Sequence, residues 1–237
     1  MVADAHLGQV PPATRDAFHA FLDAVPELGA TLLVNGDLFD FWCEYGDVIP
    51  RRHFSTLARL EALRDAGVTI TLLGGNHDRW GGDFFTRDLR IPYHRDEVEL
   101  SLVGRRTWAA HGDGLTKQHW SAALLGGFLK APGTVAAYRA LHPAIGFWLA
   151  DRLSAVLGDN TKDPAVLDRA AAAQLAYGRE VLARRPELSL VVLAHTHRPA
   201  LDTLPDGRAY LNPGAWLEGY RYAVVKRDSV ELASFRG

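Results

Sequence analysis

The chain contains four short apolar runs, and each ends abruptly in a polar cluster that carries Asp, Asn or His. The runs span 31–34, 68–73, 107–110 and 188–194, and the polar clusters follow at 35–37, 74–78, 111–114 and 195–197. Short, β-rich runs that stop at turn residues predict buried strands. Helical patterns at 14–25 and 53–66 separate the early runs. This alternation predicts an α/β fold whose sheet is at least partly parallel.

Two other stretches of the chain have different patterns. Strand-like runs at 98–103, 210–211, 222–226 and 230–235 lack helical patterns between them, which predicts a mixed sheet or a two-sheet sandwich. From 117 to 185 the strand pattern disappears and Ala, Leu and aromatic residues dominate. This stretch predicts a helical cap inserted into a single domain that spans 1–237. Only three residues precede Asp4, which is short for a buried first strand, so we expect further residues upstream.

Charge and cysteine content narrow the class of protein. With 26 Lys and Arg against 28 Asp and Glu, the net charge is −2, so the chain lacks the broad basic field of a nucleic-acid binder. The single cysteine, Cys43, excludes an intrachain disulfide framework. No apolar run approaches the roughly 20 residues of a membrane span, and Asp4 and His6 come too early for a secretory signal. We therefore expect a cytoplasmic protein without a nucleic-acid partner.

The polar clusters contain side chains that ligate metals. Asp4 and His6 lie two residues apart, as do His195 and His197, so on an extended segment both members of a pair leave the same face. Taken singly, such residues are about as often caps or turn formers. Together they follow strands, where open α/β sheets bind ligands. Without a thiolate, they favour Mn²⁺, Fe or Zn²⁺, and they are numerous enough for two ions sharing a carboxylate: Asp4, His6, Asp37, Asn76, His111, His195 and His197.

Five motifs occur in order along the chain: Asp4-x-His6, Gly36-Asp37-x-x-Asp40, Gly75-Asn76-His77-Asp78, His111-Gly112-Asp113 and His195-Thr196-His197. Together they resemble the calcineurin-like metallophosphoesterase superfamily. The resemblance implies a four-layered fold, in which helices flank a central β-sandwich, and two divalent cations, with Mn²⁺ expected first. It implies that one ion is held by Asp4, His6, Asp37 and His197. The other would be held by Asp37, Asn76, His111 and His195, so that Asp37 bridges them.

Such a metal centre implies phosphoester hydrolysis. A hydroxide that bridges two cations forms near neutral pH and can attack a phosphorus atom docked on the same ions. His77 would lie beside the phosphate and donate a hydrogen bond or a proton to it. Asp40 would orient a ligand or a donor group. His77 and Asp40 are therefore the candidate catalytic residues, and Asn76 and His77 are candidate substrate contacts.

Three further segments resemble the UDP-2,3-diacylglucosamine diphosphatase family: residues 36–42, residues 159–162, and His197-Arg198-Pro199 with the later Gly214-Ala215-Trp216. The resemblance implies that a nucleotide-lipid, UDP-2,3-diacylglucosamine, is hydrolysed at its pyrophosphate to UMP and 2,3-diacylglucosamine 1-phosphate, a step of lipid A biosynthesis. Asn160 and Lys162 would hold the glucosamine or its phosphate, and the cap would hold the acyl chains. An acylated substrate also implies peripheral contact with the inner face of the membrane.

Two alternatives to this function stay open. His77 stands where those diphosphatases typically carry Arg, so the substrate could be another phosphodiester, a cyclic nucleotide or a phosphomonoester. A non-catalytic scaffold of the same fold is the other alternative, and the complete set of seven ligand residues argues against it.

Overall fold

The structure, a computed structural model, describes residues 1–115, 132–157 and 163–236. The helices in these ranges are α1 Pro12–Leu28, α2 Phe54–Asp65, α3 Phe84–Arg87, α4 Pro132–Arg139, α5 Pro143–Leu157 and α6 Pro164–Arg184. The strands are β1 Thr31–Asn35, β2 Thr69–Leu73, β3 Tyr93–His94, β4 Glu97–Leu102, β5 Arg105–Ala110, β6 Leu190–Val192, β7 Ala200–Thr203, β8 Ala209–Asn212, β9 Arg221–Val225 and β10 Val230–Ser234. Asn160 and Lys162 lie outside the described residues.

The first sheet is parallel and has the order β1-β2-β3. The residues before Asp4 do not form a full strand, but Val2 makes a parallel bridge to Val34 of β1. On the other side of this segment, Met1 and Ala223 exchange both backbone hydrogen bonds, at 2.8 and 2.9 Å. The β9-β10 hairpin is thereby attached beside the first residues of the chain.

The second sheet is mixed and has the order β4-β5-β6-β8-β7. Its three central strands, β5, β6 and β8, are parallel, and the edge strands β4 and β7 pair antiparallel to their neighbours. The prediction of a mixed, two-sheet arrangement is therefore confirmed. The antiparallel edge strand β7 completes this sheet, and the sequence reading did not predict it.

Alternating side chains divide the apolar core into three layers. On β1, Leu32 and Val34 face α1 and α2, whereas Leu33 faces the second sheet. On β6, Leu190 and Val192 face the first sheet. Val191 faces the opposite way, toward Leu182 of α6, because successive side chains of a strand point to opposite faces. The result is a helix–sheet–sheet–helix sandwich, which confirms the predicted four-layered architecture.

Helix α6, at the end of the predicted 117–185 cap, packs directly on the second sheet. It begins after Asp163, whose side chain accepts a hydrogen bond from the amide of Ala165, and Pro164 suits the first helical position because it lacks an N–H. The buried residues of α6 recur every four positions, at Gln174, Gly178 and Leu182. A Cβ atom at Gly178 would overlap the ring of Tyr210 on β8, so glycine permits this close approach.

None of the helices in the described ranges is both long enough and apolar enough to cross a lipid bilayer.

Candidate metal centre

The predicted ligands lie in loops that meet at one edge of the sandwich. Asp37 follows β1, Asn76 and His77 follow β2, His111 follows β5, and the segment 195–197 follows β6. Because β1 pairs with β2 in register up to their last residues and β5 pairs in parallel with β6, each pair of loops starts side by side. The N-terminal segment joins them, since the amides of Asp4 and His6 donate to the carbonyls of Gly36 and Asp37 at 3.1 and 2.9 Å.

Most of these loops have an unusual backbone conformation. Eight non-glycine residues of the described chain have φ between 45° and 71°. Five of the eight are predicted ligands: Asp4, His6, Asp37, His195 and His197. Left-handed conformations are costly for residues with a Cβ atom and persist at functional sites where the surroundings enforce them. The strain therefore points to this edge of the sandwich independently of the residue types.

Each of the two buried aspartates uses one oxygen for the backbone and turns the other toward imidazoles. Asp37 Oδ1 accepts from the amide of His77 at 2.8 Å, and its Oδ2 lies 3.7 Å from His6 Nε2 and 3.2 Å from His111 Nε2. Asp4 Oδ2 accepts from the amide of His195 at 3.2 Å. Asp4 Oδ1 lies 3.9 Å from His111 Nε2 and 3.7 Å from His197 Nε2. Asp37 thus stands between the two halves of the cluster.

Three sets of side chains offer donor atoms that lie within 4.8 Å of one another: Asp4, His6 and His197; His6, Asp37 and His77; Asp37, His111 and His195. Six of the seven predicted ligands belong to these sets. The seventh, Asn76, lies in the same loop as His77 with its side chain exposed, and its role as a ligand stays a prediction.

Hydrogen bonds on the far side of the rings select the tautomer of three histidines. Nδ1 of His111 lies 3.0 Å from the carbonyl oxygen of Asn35, and Nδ1 of His77 lies 2.7 Å from that of Asp40. Nδ1 of His197 lies 2.9 Å from Oε1 of Glu218. Since these oxygens only accept, each Nδ1 carries a proton, and the ring turns its Nε2 toward the cluster. This is the second-sphere arrangement that orients metal-bound histidines.

Several donor atoms of the cluster are buried and unpaired. Asp4 Oδ1, His6 Nε2 and His111 Nε2 are inaccessible to water and have no hydrogen-bond partner among the described residues. Burial lowers the pKa of His6 to about 3 and that of His195 to about 4, so both imidazoles are neutral. Burial opposes the charge of His111, but the carboxylates of Asp37 and Asp4 outweigh it and hold the pKa of His111 well above its usual value. Buried carboxylates that face imidazole nitrogens in this way are stabilised only by a positive counter-charge. The donor set therefore fits divalent cations.

Asp40 fixes His77 through its backbone rather than its carboxyl group. The carbonyl of Asp40 accepts from His77, while its buried carboxyl group lies 3.5 Å from Arg52 Nη2 and 3.9 Å from His53 Nε2. Arg52 Nε donates to His53 Nε2 at 3.3 Å, so these two residues pack together against the Asp40 side chain. The predicted role of Asp40 as an orienting residue is compatible with this geometry.

Two supporting carboxylates were not singled out from the sequence. Asp78 is buried and accepts four backbone amides: Leu38 and Gly75 at 2.7 Å, and Asp37 and Phe39 at 3.3 Å. Asp78 thereby ties the loop after β1 to the loop after β2. Glu218 holds His197, as described above. The signal for Asp78 was its place in the Gly75–Asp78 motif, whereas nothing local marks Glu218.

Comparisons with known proteins indicate the family of this chain. The family model described as calcineurin-like phosphoesterase matches residues 1–199. The UDP-2,3-diacylglucosamine hydrolase of Porphyromonas gingivalis is 28% identical over 98% of this chain and 95% of its own length. The Escherichia coli O1:K1 protein of the same name is 28% identical over 99% of this chain and 97% of its own length.

A solved structure described as a novel archaeal phosphodiesterase covers 99% of this chain and 97% of its own, with a TM-score of 0.48 and 12% identity. The family match spans most of the chain and includes all five motifs. The chain therefore belongs to the calcineurin-like phosphoesterase family and is a metal-dependent phosphoesterase.

Proposed function

We propose that this phosphoesterase hydrolyses the pyrophosphate bond of UDP-2,3-diacylglucosamine and releases UMP and 2,3-diacylglucosamine 1-phosphate. The observation that carries the proposal is the nearly full-length similarity to relatives named UDP-2,3-diacylglucosamine hydrolase. Such coverage includes the helical segments between β5 and β6 as well as the metal-binding loops. The substrate is thus a nucleotide-lipid of the lipid A pathway.

The proposed ligands form two sets that share Asp37. Asp4, His6, Asp37 and His197 hold one divalent cation, and Asp37, Asn76, His111 and His195 hold the other. The position of Asp37 Oδ2 between His6 and His111 supports a bridging role. We expect Mn²⁺ first, with Fe or Zn²⁺ as the alternatives, because the donors are oxygen and nitrogen atoms without a thiolate. When bound, two cations supply positive charge that polarises the phosphate and lowers the pKa of water.

His77 is the proposed proton donor to the substrate. Its Nδ1 is held by the carbonyl of Asp40, and its ring meets that of His6 edge to face, with 4.6 Å between the centroids. This orientation turns Nε2 toward the cluster, where we expect the phosphate to dock. In its protonated form, His77 donates from Nε2 to a phosphate oxygen, and Asp40 keeps the ring aligned during this step. Asn76 is a further proposed contact to the substrate.

An aromatic cluster beside His77 supports the proposal that part of the substrate is apolar. Phe41 follows Asp40, and its ring lies 5.8 Å from that of Trp80 and 6.5 Å from that of Phe147 on α5. Tyr138 of α4 completes the cluster, with its ring 4.8 Å from Trp80. The loops after β1 and β2 therefore meet the helices of the predicted 117–185 cap through aromatic side chains. We propose that the acyl chains lie against this cluster and that Asn160 and Lys162 bind the sugar phosphate.

The outer side of α5 supports peripheral contact with a membrane. Trp148 and Ile145 are 59% and 54% exposed, and Leu141 is 37% exposed at the preceding turn. Arg152 lies one helical turn beyond Trp148, with its guanidinium 5.6 Å from the ring centroid. Exposed apolar residues beside an aromatic ring and a cation suit the surface of an anionic bilayer. An enzyme that acts on an acylated substrate would approach it there.

The direct test is release of UMP from detergent-dispersed UDP-2,3-diacylglucosamine by the purified protein with Mn²⁺. We expect turnover that is abolished by EDTA and by Asp37→Ala, and retained by Asp16→Ala, which removes an exposed carboxylate of α1 that pairs with Arg15. If the protein binds Mn²⁺ but releases no UMP, the proposed substrate is refuted. Hydrolysis of a cyclic nucleotide or of bis(p-nitrophenyl) phosphate in the same preparation would then identify the alternative.

A further inference from the structure

A buried polar cluster lies directly behind three of the proposed metal ligands. It consists of Gln174 on α6, Thr196 in the loop after β6 and Asn212 at the end of β8. Gln174 is 0% exposed, and Thr196 and Asn212 are each 1% exposed. Polar side chains at such depth are normally retained only with hydrogen-bond partners, so the partners show what the cluster fixes.

Gln174 occupies a position that the helical pattern assigns to an apolar residue. It shares the buried face of α6 with Gly178 and Leu182, at intervals of four residues. Leu182 packs into the apolar layer between α6 and the second sheet. At Gln174 the buried face of α6 instead passes the ends of β5 and β6. Backbone groups of the ligand loops need hydrogen-bond partners there.

The amide of Gln174 contacts both of these loops. Its Nε2 donates to the carbonyl of Gly112 at 3.4 Å, directly after His111. Its Oε1 accepts from the hydroxyl of Thr196 at 3.3 Å and from the amide of Asn212 at 3.5 Å. Gly112 has a φ of 104°, and a Cβ atom there would overlap the amide nitrogen of Gln174. The loop after β5 is thus shaped to receive this side chain.

Thr196 separates His195 and His197, both of which have left-handed backbones with φ of 71° and 58°. Its hydroxyl also accepts from the amide of Asn212 at 3.1 Å, on the buried side of the loop. Asn212 in turn donates to the carbonyl of Ala194 at 3.4 Å. The neighbours of His195 on both sides, Ala194 and Thr196, are therefore held by hydrogen bonds from Asn212.

We propose that Gln174 is a positioning residue which, through Thr196 and Gly112, fixes the imidazoles of His111, His195 and His197 for metal binding. It does not touch the substrate, and it acts on the metal through the two loops. Helix α6, the last helix of the 117–185 segment, is then structurally coupled to the metal centre. The inference rests on the ligand assignment of the proposed function and is independent of the substrate.

The test compares two variants that each delete one buried hydroxyl from the full-length protein. Thr196→Val removes the hydroxyl inside the cluster. Thr56→Val removes a hydroxyl that pairs with Nε2 of His19 at 2.9 Å, and these two residues lie on α2 and α1 rather than in a ligand loop. Gln174→Leu and Thr196→Ser complete the series. The measurements are the melting temperature of the metal-free protein and the Mn²⁺ affinity, which electron paramagnetic resonance reports through the signal of unbound Mn²⁺.

We expect Thr196→Val and Gln174→Leu to weaken Mn²⁺ binding at least tenfold, as loss of second-sphere support does in other metal sites. Thr196→Ser keeps the hydroxyl and should bind Mn²⁺ within about twofold of the wild type. Thr56→Val should lower the melting temperature without changing Mn²⁺ affinity. If Gln174→Leu does not fold, the comparison of Thr196→Val with Thr56→Val decides.

Wild-type Mn²⁺ affinity in Thr196→Val and Gln174→Leu, with lowered melting temperatures, would overturn the inference and leave the cluster a stabilising element of the fold. A wild-type protein that binds no Mn²⁺ would overturn the ligand assignment and this inference with it. A wild type that binds Mn²⁺ but releases no UMP refutes only the proposed substrate, and the predicted loss of affinity in the variants still supports the positioning role.

Discussion

Replacing Asp78 by asparagine tests how the loop that carries Asp37 is held. In the native protein, Oδ2 of Asp78 accepts from Leu38 and Phe39, and Oδ1 accepts from Asp37 and Gly75. An asparagine has one oxygen, so in either orientation its NH₂ group faces two backbone N–H groups. Two buried donors then lose their acceptor, at a cost of about 1–3 kcal/mol each.

A second effect of Asp78→Asn opposes this cost. Burial and the nearby charge of Asp37 raise the pKa of Asp78 from 3.8 to about 6. Since this folded-state pKa lies above the unfolded one, the carboxyl group favours folding most below about pH 4, and its contribution is lost as the pH rises through about 6. The full difference corresponds to about 3 kcal/mol. At neutral pH, the relief of a buried charge therefore offsets much of the cost of the two lost hydrogen bonds, which is about 2–6 kcal/mol in total.

The assay is urea unfolding of the metal-free protein from pH 4.5 to 7.5, together with Mn²⁺ titration. We expect Asp78→Asn to gain stability relative to the wild type as the pH rises, by most of that ~3 kcal/mol. We also expect Mn²⁺ affinity to fall about 10–100-fold, because Asp37 is no longer held. Asp88→Asn, at an exposed carboxylate, should change neither quantity. A pH-independent stability difference, or unchanged Mn²⁺ affinity, would refute the reasoning.

Three other predictions concern the metals and the surface. Free Mn²⁺ at about 100 times Kd stabilises the folded protein by about 2.7 kcal/mol per site. Two sites should therefore raise the melting temperature by about 10–20 °C over that of the protein in EDTA. Equal melting temperatures in scanning calorimetry would contradict a metal centre. Glu218→Gln should weaken Mn²⁺ binding about tenfold or more, because His197 loses the carboxylate that orients it; unchanged affinity in the same titration would count against Glu218. Trp148→Asp should reduce cosedimentation with phosphatidylglycerol vesicles while leaving Mn²⁺ affinity unchanged, and equal cosedimentation would remove α5 as the membrane-facing side.

The sequence predicted the elements whose pattern is local. The apolar runs at 31–34 and 68–73 became β1 and β2, and the helical patterns at 14–25 and 53–66 became α1 and α2. Strand-end motifs were informative because parallel strands bring their carboxyl ends to one edge of a sheet. By contrast, β3 has two residues and β7 is an edge strand with no buried side chain. β3 is too short to show a pattern, and β7 does not alternate apolar and polar residues in the sequence.

Supporting residues escaped the sequence analysis because their partners are distant along the chain. Glu218 lies 21 residues from His197, and Gln174 lies 62 residues from Gly112. The only local sign of the contact between Gln174 and Gly112 is a glutamine on an apolar helical face. This pattern indicates that the glutamine is buried, but it does not identify its hydrogen-bond partner. The candidate ligands were predictable from residue type, whereas the residues that hold them in place were not.

The strained backbone explains why this support is extensive. Left-handed conformations at five predicted ligands cost about 1–2 kcal/mol each, a total comparable with the whole stability of a domain. Glycine would remove the strain, but it would also remove the carboxylate or imidazole from each position. The chain keeps the side chains and enforces the loops instead, through Asp78 after β1 and β2 and through Gln174 and Asn212 after β5 and β6. Weakening any of these supports should therefore change metal affinity more than it changes the fold, because the loops relax before the sheets do.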